Sequence, residues 1–419
     1  MTTKLTVPPE LEDLLTPEAL DDPYTYFGRY REISPVLWNS RWGGWIFTGH
    51  DEVRAALTDG LMTSERIKRF EGELTERSGG DAGGETVFRI MSRWLTYDDG
   101  AIHHRLRRVL SAPFMPGAVK RHQAETVEVV DQLIDRVELL SREGDVDLIR
   151  EFASLVPSAV ISRILGIPDN DVERLRHWSE ELTLLVLGAF GAPDRHARAR
   201  DAFVELEAYV RAAVDERRSQ PRDDVLSAYT AAAFEDEAMT EDELISSVIL
   251  IIFGGHETTT NLIGTSLLNL CRFPAARRQM LAGEVEPRLA IEEFLRFDGP
   301  VKAFFRDVAQ DHVRQGQNLR KGDRALLVLG AANHDPEAFE RPDDLDLKRG
   351  PSRHLSFGTG IHLCIGASLA RMEAAAAIPA FLQRFPHFDL AAGYEPEWVP
   401  LIMSRGVARL PIVVGTDAS

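Results

Sequence analysis

Cysteine is scarce in this chain. Two among 419 residues, Cys271 and Cys364, lie far apart in sequence, which excludes a disulfide framework. Long apolar runs are missing too. None approaches the ~20 residues of a membrane span, and the opening Met1 to Glu10 has neither a basic nor an apolar leader segment. The expectation is a cytoplasmic protein with no membrane insertion. Positive charge is in short supply, with 48 Lys and Arg against 66 Asp and Glu and a formal charge of -18. That balance argues against nucleic acid as a partner, and most of the acidity reads as solvated surface. No internal repeat is visible. What remains, 44% hydrophobic and 27% charged residues, describes an ordinary globular protein with a large core.

The most informative stretch is Phe357-Gly358-Thr359-Gly360-Ile361-His362-Leu363-Cys364-Ile365-Gly366, followed at once by an alanine-rich helical run from Ala367. Clustered glycines point to backbone that turns tightly or presses against something flat. A cysteine at the mouth of a helix meets unpaired N–H groups and the positive end of the dipole. Both favour a thiolate, a soft ligand for one metal. Taken alone, the cysteine reads as a small buried apolar side chain in a turn. The spacing F-G-x-G-x-H-x-C-x-G into A-x-x-L-A-R decides otherwise, because it resembles the haem-binding signature of the cytochrome P-450 monooxygenases. The resemblance implies that Cys364 is the axial ligand of haem b iron. It also implies that Phe357 packs over the sulfur, that His362 reaches a propionate, and that Gly358 and Gly366 border the cofactor. It implies the family's fold as well: mainly α with a smaller β region, one triangular haem domain over residues 1–419, and a long central helix.

The second stretch supplies that helix. Thr240 with Glu243 forms a capping box, and helical pattern then continues to about Arg272, a run of ~30 residues or roughly 45 Å. In its middle stand Gly254-Gly255-His256-Glu257-Thr258-Thr259-Thr260, poor helix formers, each glycine costing about 1 kcal/mol relative to alanine. Glycine lets backbone lie against a planar cofactor, and a threonine hydroxyl can bond back to the preceding turn. The stretch matches the family's oxygen-activation motif [AG]-G-x-[DE]-T-T. The match implies that Gly254 and Gly255 face the cofactor, that Glu257 gates proton entry and that Thr258 holds a water chain. His256 is expected to point away as an ordinary helix residue.

Other positions follow from the same resemblance. Residues 61–97 read as irregular, with Arg77 to Glu85 a mobile surface loop. This region implies a roof over the substrate, making Val87, Ile90 and Met91 pocket candidates, together with Leu185, Ile252, Ala303 and Ile402. His103 and Arg107, four apart on one helical face, correspond to propionate ligands. They follow Asp99-Gly100-Ala101-Ile102, where the family has D-P-P-E. Arg105, Arg107, Arg108, Lys120 and Arg121 make a basic stretch suited to propionates or an acidic redox partner. Helices are expected over 118–142, 145–165, 169–187 and 195–219. Glu293 and Arg296 match a buried pair that the family completes with a later arginine. Here that position reads Asp344, so either Asp344 is expected to answer Arg296 directly or Arg341 to substitute for that arginine. Arg306 corresponds to another propionate ligand. Lys302 is expected to snorkel to solvent, with pairing to an anionic substrate as the alternative.

The resulting expectation is a haem-thiolate monooxygenase that hydroxylates or epoxidises a mainly apolar natural product. It would use O2 and electrons that come ultimately from NAD(P)H through ferredoxin reductase and ferredoxin, and would act as a monomer. A peroxide-driven peroxygenase and a haem-thiolate gas sensor are the alternatives.

Overall fold

The computed structural model describes residues 4–67, 71, 82–189, 191–234, 238–350 and 352–415. The chain divides into two compact units, each gathered from separated stretches. One takes the residues up to Arg66 with Phe273–Cys364 and Glu397–Gly406, and the other takes Ile67–Arg272, Ile365–Pro396 and the residues from Val407 onward.

The first unit is built on a five-stranded sheet. Val36–Asn39 and Gly44–Phe47 form an antiparallel hairpin with Val36 opposite Phe47. The second of these runs parallel to Arg324–Val328, which pairs antiparallel with Ala303–Val308, and Met62–Thr63 closes the far edge. Aromatic and branched residues suit a pleated, covered surface, and Val36, Trp45, Phe47 and Leu327 are fully buried in its core. A separate hairpin joins His312–Arg314 to Gln317–Leu319 through Gln315 and Gly316, at φ 47° and 72°. Two positive φ values in a two-residue loop match the twist of the flanking strands. The helix Pro287–Asp298 opens on proline, whose missing N–H costs nothing there.

The second unit is helical. Its spine is Glu241–Arg272, 32 residues, or about 48 Å at 1.5 Å per residue. The capping box forms as expected. Thr240 Oγ1 accepts from Glu243 N–H at 3.2 Å, and a Glu243 carboxylate oxygen accepts from Thr240 N–H at 2.8 Å. Arg105 forks onto the same carboxylate at 2.6 and 2.9 Å. Burial opposes ionisation of Glu243, but Arg105 and the Thr240 donors hold its carboxyl below the usual range. Leu155–Leu165, Val172–Val186, Arg195–Ser219 and Ala367–Arg384 pack along the spine, and the helix is buried from Leu244 to Leu270 except near its centre. A small sheet of Val146–Asp147, Pro411–Val414 and Phe388–Leu390 completes the unit. Among the described residues no helix is long and apolar enough to cross a membrane.

Three sequence expectations change. Within 61–97, expected to be irregular, Ala82–Met91 is a helix; it buries Val87, Ile90 and Met91, which recur at helical spacing. The loop expected over Arg77 to Glu85 is helical from Ala82 on, and its residues 77–81 lie outside the described residues. The helix expected from 145 begins instead with a strand, because Val146 and Asp147 pair with Ile412 and Pro411. A partner so distant in sequence leaves no local signal.

Replacing Glu243 by Ala removes a cap worth about 1 kcal/mol and a charge-assisted bond of similar or larger size. Equilibrium urea unfolding should show a loss of about 2 kcal/mol, against about half that for Thr240→Ala.

Candidate active site

In the first unit, Cys364 closes a loop that only glycine can shape. Gly358 and Gly360 sit at φ 67° and 71°, in the left-handed region. A Cβ on Gly360 would lie 3.1 Å from both Leu57 O and Thr58 Cγ2. Cys364 N–H donates to Phe357 O at 2.9 Å and Gly358 N–H to Leu355 O at 2.7 Å. The turn delivers Cys364 to an exposed position just after Ile361 and Leu363, which are 40% and 45% exposed. Two large apolar side chains beside an outward cysteine make a surface suited to being covered. The His362 ring nitrogen Nε2 lies 3.2 Å from Ser64 Oγ.

The loop is fastened from behind. Leu355 N–H donates to Asn333 Oδ1 at 2.7 Å, and Asn333 Nδ2 donates to Ser356 Oγ at 2.9 Å. Ser356 Oγ in turn donates to Leu295 O on Pro287–Asp298. That helix also carries Arg296, which has no exposed surface. Arg296 forks onto Glu293 at 2.8 and 2.9 Å and donates to the carbonyls of Asn333, Pro342 and Asp344. The second cation on Glu293 is neither expected candidate but Arg349, whose Nε lies 3.1 Å from both carboxylate oxygens. Asp344 contributes only its backbone carbonyl, while Arg341 reaches outward to Asp344 and Asp346. Arg349 lies one turn of loop beyond the expected position, which is why motif spacing missed it.

In the second unit, the spine breaks its own burial at Gly254, which is exposed. A Cβ there would meet nothing within 4 Å, whereas one on Gly255 would lie 3.3 Å from Ile161 Cγ1. Gly255 thus serves helix packing, and Gly254 alone presents bare backbone. Thr258 Oγ1 donates to Gly254 O at 3.1 Å, bonding back as expected. Glu257 accepts from Asn261 Nδ2 at 2.9 Å. Burial lifts its carboxyl to about 6; Asn261 opposes the rise and the Glu180 carboxylate adds to it. Glu180 is itself tied to Arg176, which also holds Glu173. His256 is buried and turned into the core, and burial drives its ring down to about 3, with Arg176 acting in the same sense.

Sequence reasoning missed a further acid. Glu373, on Ala367–Arg384, is 1% exposed. Burial lifts its carboxyl to about 8, opposed by the Thr259 hydroxyl. Its only sequence signal was an acidic residue in an otherwise alanine-rich helix.

His103 is fully buried, with Nδ1 2.9 Å from Leu95 O. The unusual approach to its helix is held by Asp98, whose Oδ1 accepts from Gly100 and His103 N–H groups, both at 2.9 Å. Arg107 is half-buried on the same helix, while Arg105, expected in a basic docking stretch, is spent on Glu243. Val87, Ile90, Met91 and Ile252 join one hydrophobic cluster, with Leu185 packed against it. In the first unit Ala303 and Ile402 are buried, and Arg306 is half-buried with Nη1 on Phe305 O at 2.9 Å. Lys302 overturns the snorkelling expectation. It is 6% exposed, on a backbone hydrogen-bonded to Met403 on one side and Gly330 on the other.

Each unit by itself fits a planar thiolate-ligated cofactor: one by an outward cysteine with uncovered apolar neighbours, the other by a bare glycine in a buried helix. Comparison with known proteins agrees. The family model described as Cytochrome P450 matches residues 65–285 and 288–395. The biotin biosynthesis cytochrome P450 of Bacillus subtilis (strain 168) is 32% identical over 94% of this chain and 97% of its own. The cytochrome P450 monooxygenase PikC of Streptomyces venezuelae is 33% identical over 93% of this chain and 91% of its own. The crystal structure of epothilone D-bound cytochrome P450epoK superposes with a TM-score of 0.88 at 27% identity, covering 97% of this chain and 99% of that one.

Two substitutions separate the cations near Glu293. Arg349→Ala strips a buried carboxylate of one partner and should cost about 3 kcal/mol in urea unfolding, while exposed Arg341→Ala should change stability by under about 0.5 kcal/mol. For Glu373, the folded state keeps a proton that the unfolded chain loses near the ordinary value of 4.5. Its contribution to stability is therefore complete at low pH and lost as pH rises through about 8. In Glu373→Gln, thermal midpoints measured across that window should fall less steeply than in the wild type.

Proposed function

The chain belongs to the cytochrome P450 family, and on that premise we propose that it hydroxylates or epoxidises a mainly apolar small molecule in natural-product biosynthesis. It is a monooxygenase, as its relatives are named, and it uses O2. The substrate class is supported by relatives named for biotin and polyketide biosynthesis and by the structure with epothilone D bound. In this reading the whole chain serves as one cytoplasmic haem domain. Electrons come from NAD(P)H through ferredoxin reductase and ferredoxin, one at a time, to a monomer.

Cys364 would hold the iron of haem b; His103, Arg107, Arg306 and His362 would take the propionates. Phe357 would shield the sulfur and Gly254 would let the porphyrin lie close. A thiolate-ligated haem supplies the electron density that favours O–O cleavage. The chain's own part is proton handling and dryness. Thr258 Oγ1, resting on Gly254 O, can rotate to donate to a water and keep it in line. Glu257, lifted to about 6, lies near neutrality and can pass a proton from solvent to that water, while Asn261 fixes its orientation. Glu373 keeps its own proton at neutral pH, so it sets no negative charge against Thr259 of the long helix. Val87, Ile90, Met91, Leu185 and Ile252, with Ala303 and Ile402, would present apolar surface to the substrate.

The observation that carries this reading is the exposed cysteine, in a loop that left-handed glycines shape and that also exposes two large apolar side chains. The reduced protein under carbon monoxide should absorb near the wavelength in the family's name, and Cys364→Ser should lose that band. Thr258→Ala should still consume O2 but yield about tenfold less product per O2, with hydrogen peroxide accumulating. Turnover with peroxide alone, and none with reductant, would assign the peroxygenase reading instead.

A further inference from the structure

Lys302 precedes the strand Ala303–Val308 and is rooted on both sides. Its N–H donates to Met403 O at 2.8 Å, its carbonyl accepts from Gly330 N–H at 3.0 Å, and Val301 bridges Ser404 beside it. Its neighbours along these segments, Ala303, Leu401, Ile402 and Met403, are buried, and Lys302 itself is 94% enclosed, being 6% exposed.

A lysine buried to this degree is ordinarily paired. The Lys302 amine makes no hydrogen bond or ion pair with any described residue. The acid that faces it, Asp298, is committed elsewhere: it accepts from the Tyr24 hydroxyl and from Arg405 Nε. Arg405 cannot release it easily. It donates to Leu20 O at 2.6 Å and Asp21 O at 3.0 Å, and its guanidinium lies 3.5 Å from the centre of the Trp398 ring. Burial pushes the amine down to about 7; Arg405 pushes further in the same direction and Asp298 opposes it. Of the two charged groups that act on Lys302, Arg405 repels it and Asp298 is shared with Arg405 and Tyr24, so among the described residues the amine has no counter-charge of its own.

We propose that Lys302 binds the carboxylate of the substrate, so that this enzyme selects apolar acids over the corresponding neutral molecules. This deepens the monooxygenase reading and rests on it. A bound carboxylate supplies the missing negative charge, while the apolar side chains around Lys302 accept the adjoining hydrocarbon. Because the unliganded amine is largely neutral above about pH 7, carboxylate binding there takes up a proton and weakens as pH rises.

The test titrates decanoic acid and 4-phenylbutanoic acid, each beside its primary amide, into haem-loaded protein by calorimetry. In the wild type at about pH 6.5 each acid should bind about tenfold or more tightly than its amide. At about pH 8.5 the preference should shrink, with heats that depend on buffer ionisation. Lys302→Met should abolish the preference while keeping the amide affinity, and Lys302→Arg should retain it. Should Lys302→Met not fold, Lys302→Gln gives the same comparison. No acid preference in the wild type with either pair, or an undiminished preference without the lysine, overturns the proposal. Haem content and the reduced carbon monoxide spectrum are recorded on the same samples. A wild type that takes no haem fails the monooxygenase reading, whereas a haem-loaded wild type indifferent to the carboxylate fails this inference alone.

Discussion

A guanidinium with no exposed surface organises the first unit. Arg296 gathers Glu293 and three backbone carbonyls from a loop that would otherwise leave those groups unsatisfied inside the protein. A buried ion pair contributes little net stability, so its worth here is positional. By fixing Asn333 it fixes the amide side chain that receives Leu355 N–H and supports Ser356. The cysteine turn is therefore braced through a chain of hydrogen bonds that ends on one arginine. Arg349 stands opposite on the same carboxylate, so Glu293 answers two cations at once.

The second unit solves a different problem. A helix 32 residues long and covered on nearly every side must carry polar chemistry at its middle without unravelling. Three threonine hydroxyls do so by turning onto the carbonyl four residues back: Thr258 on Gly254, Thr260 on His256, Thr265 on Asn261. Local satisfaction keeps the helix continuous. The acids differ by the same logic. Glu257 has an amide donor and Glu373 lies deeper, so burial moves their carboxyls to about 6 and about 8. One is placed to exchange a proton near neutrality; the other keeps its own.

Much of this was legible in the residues. The capping box, the long helix and the back-bonded threonine rest on neighbours within four positions, where sequence spacing is spatial spacing. What escaped depends on distant partners. Val146 belongs to a strand only because Ile412 lies opposite. Arg349 answers Glu293 only because the loop between them folds back on itself, and no motif records that path. Lys302 read as a snorkelling residue because lysine is usually wet. Its backbone is held by hydrogen bonds to Met403 and Gly330, both well downstream in the chain. Arg105, counted as part of a basic face, was already claimed by a carboxylate more than a hundred residues later.

Gly254 has an evolutionary consequence. Nothing in the fold crowds it, so alanine would fit there and would favour the helix by about 1 kcal/mol. Under random mutation without selection for activity, this position should drift toward the bulkier residue and the protein should grow sturdier. The oxygen-activation motif admits alanine as well as glycine here, so a working lineage can take the sturdier residue at this carbon, whereas Gly255, pressed against Ile161, leaves no such freedom one position later.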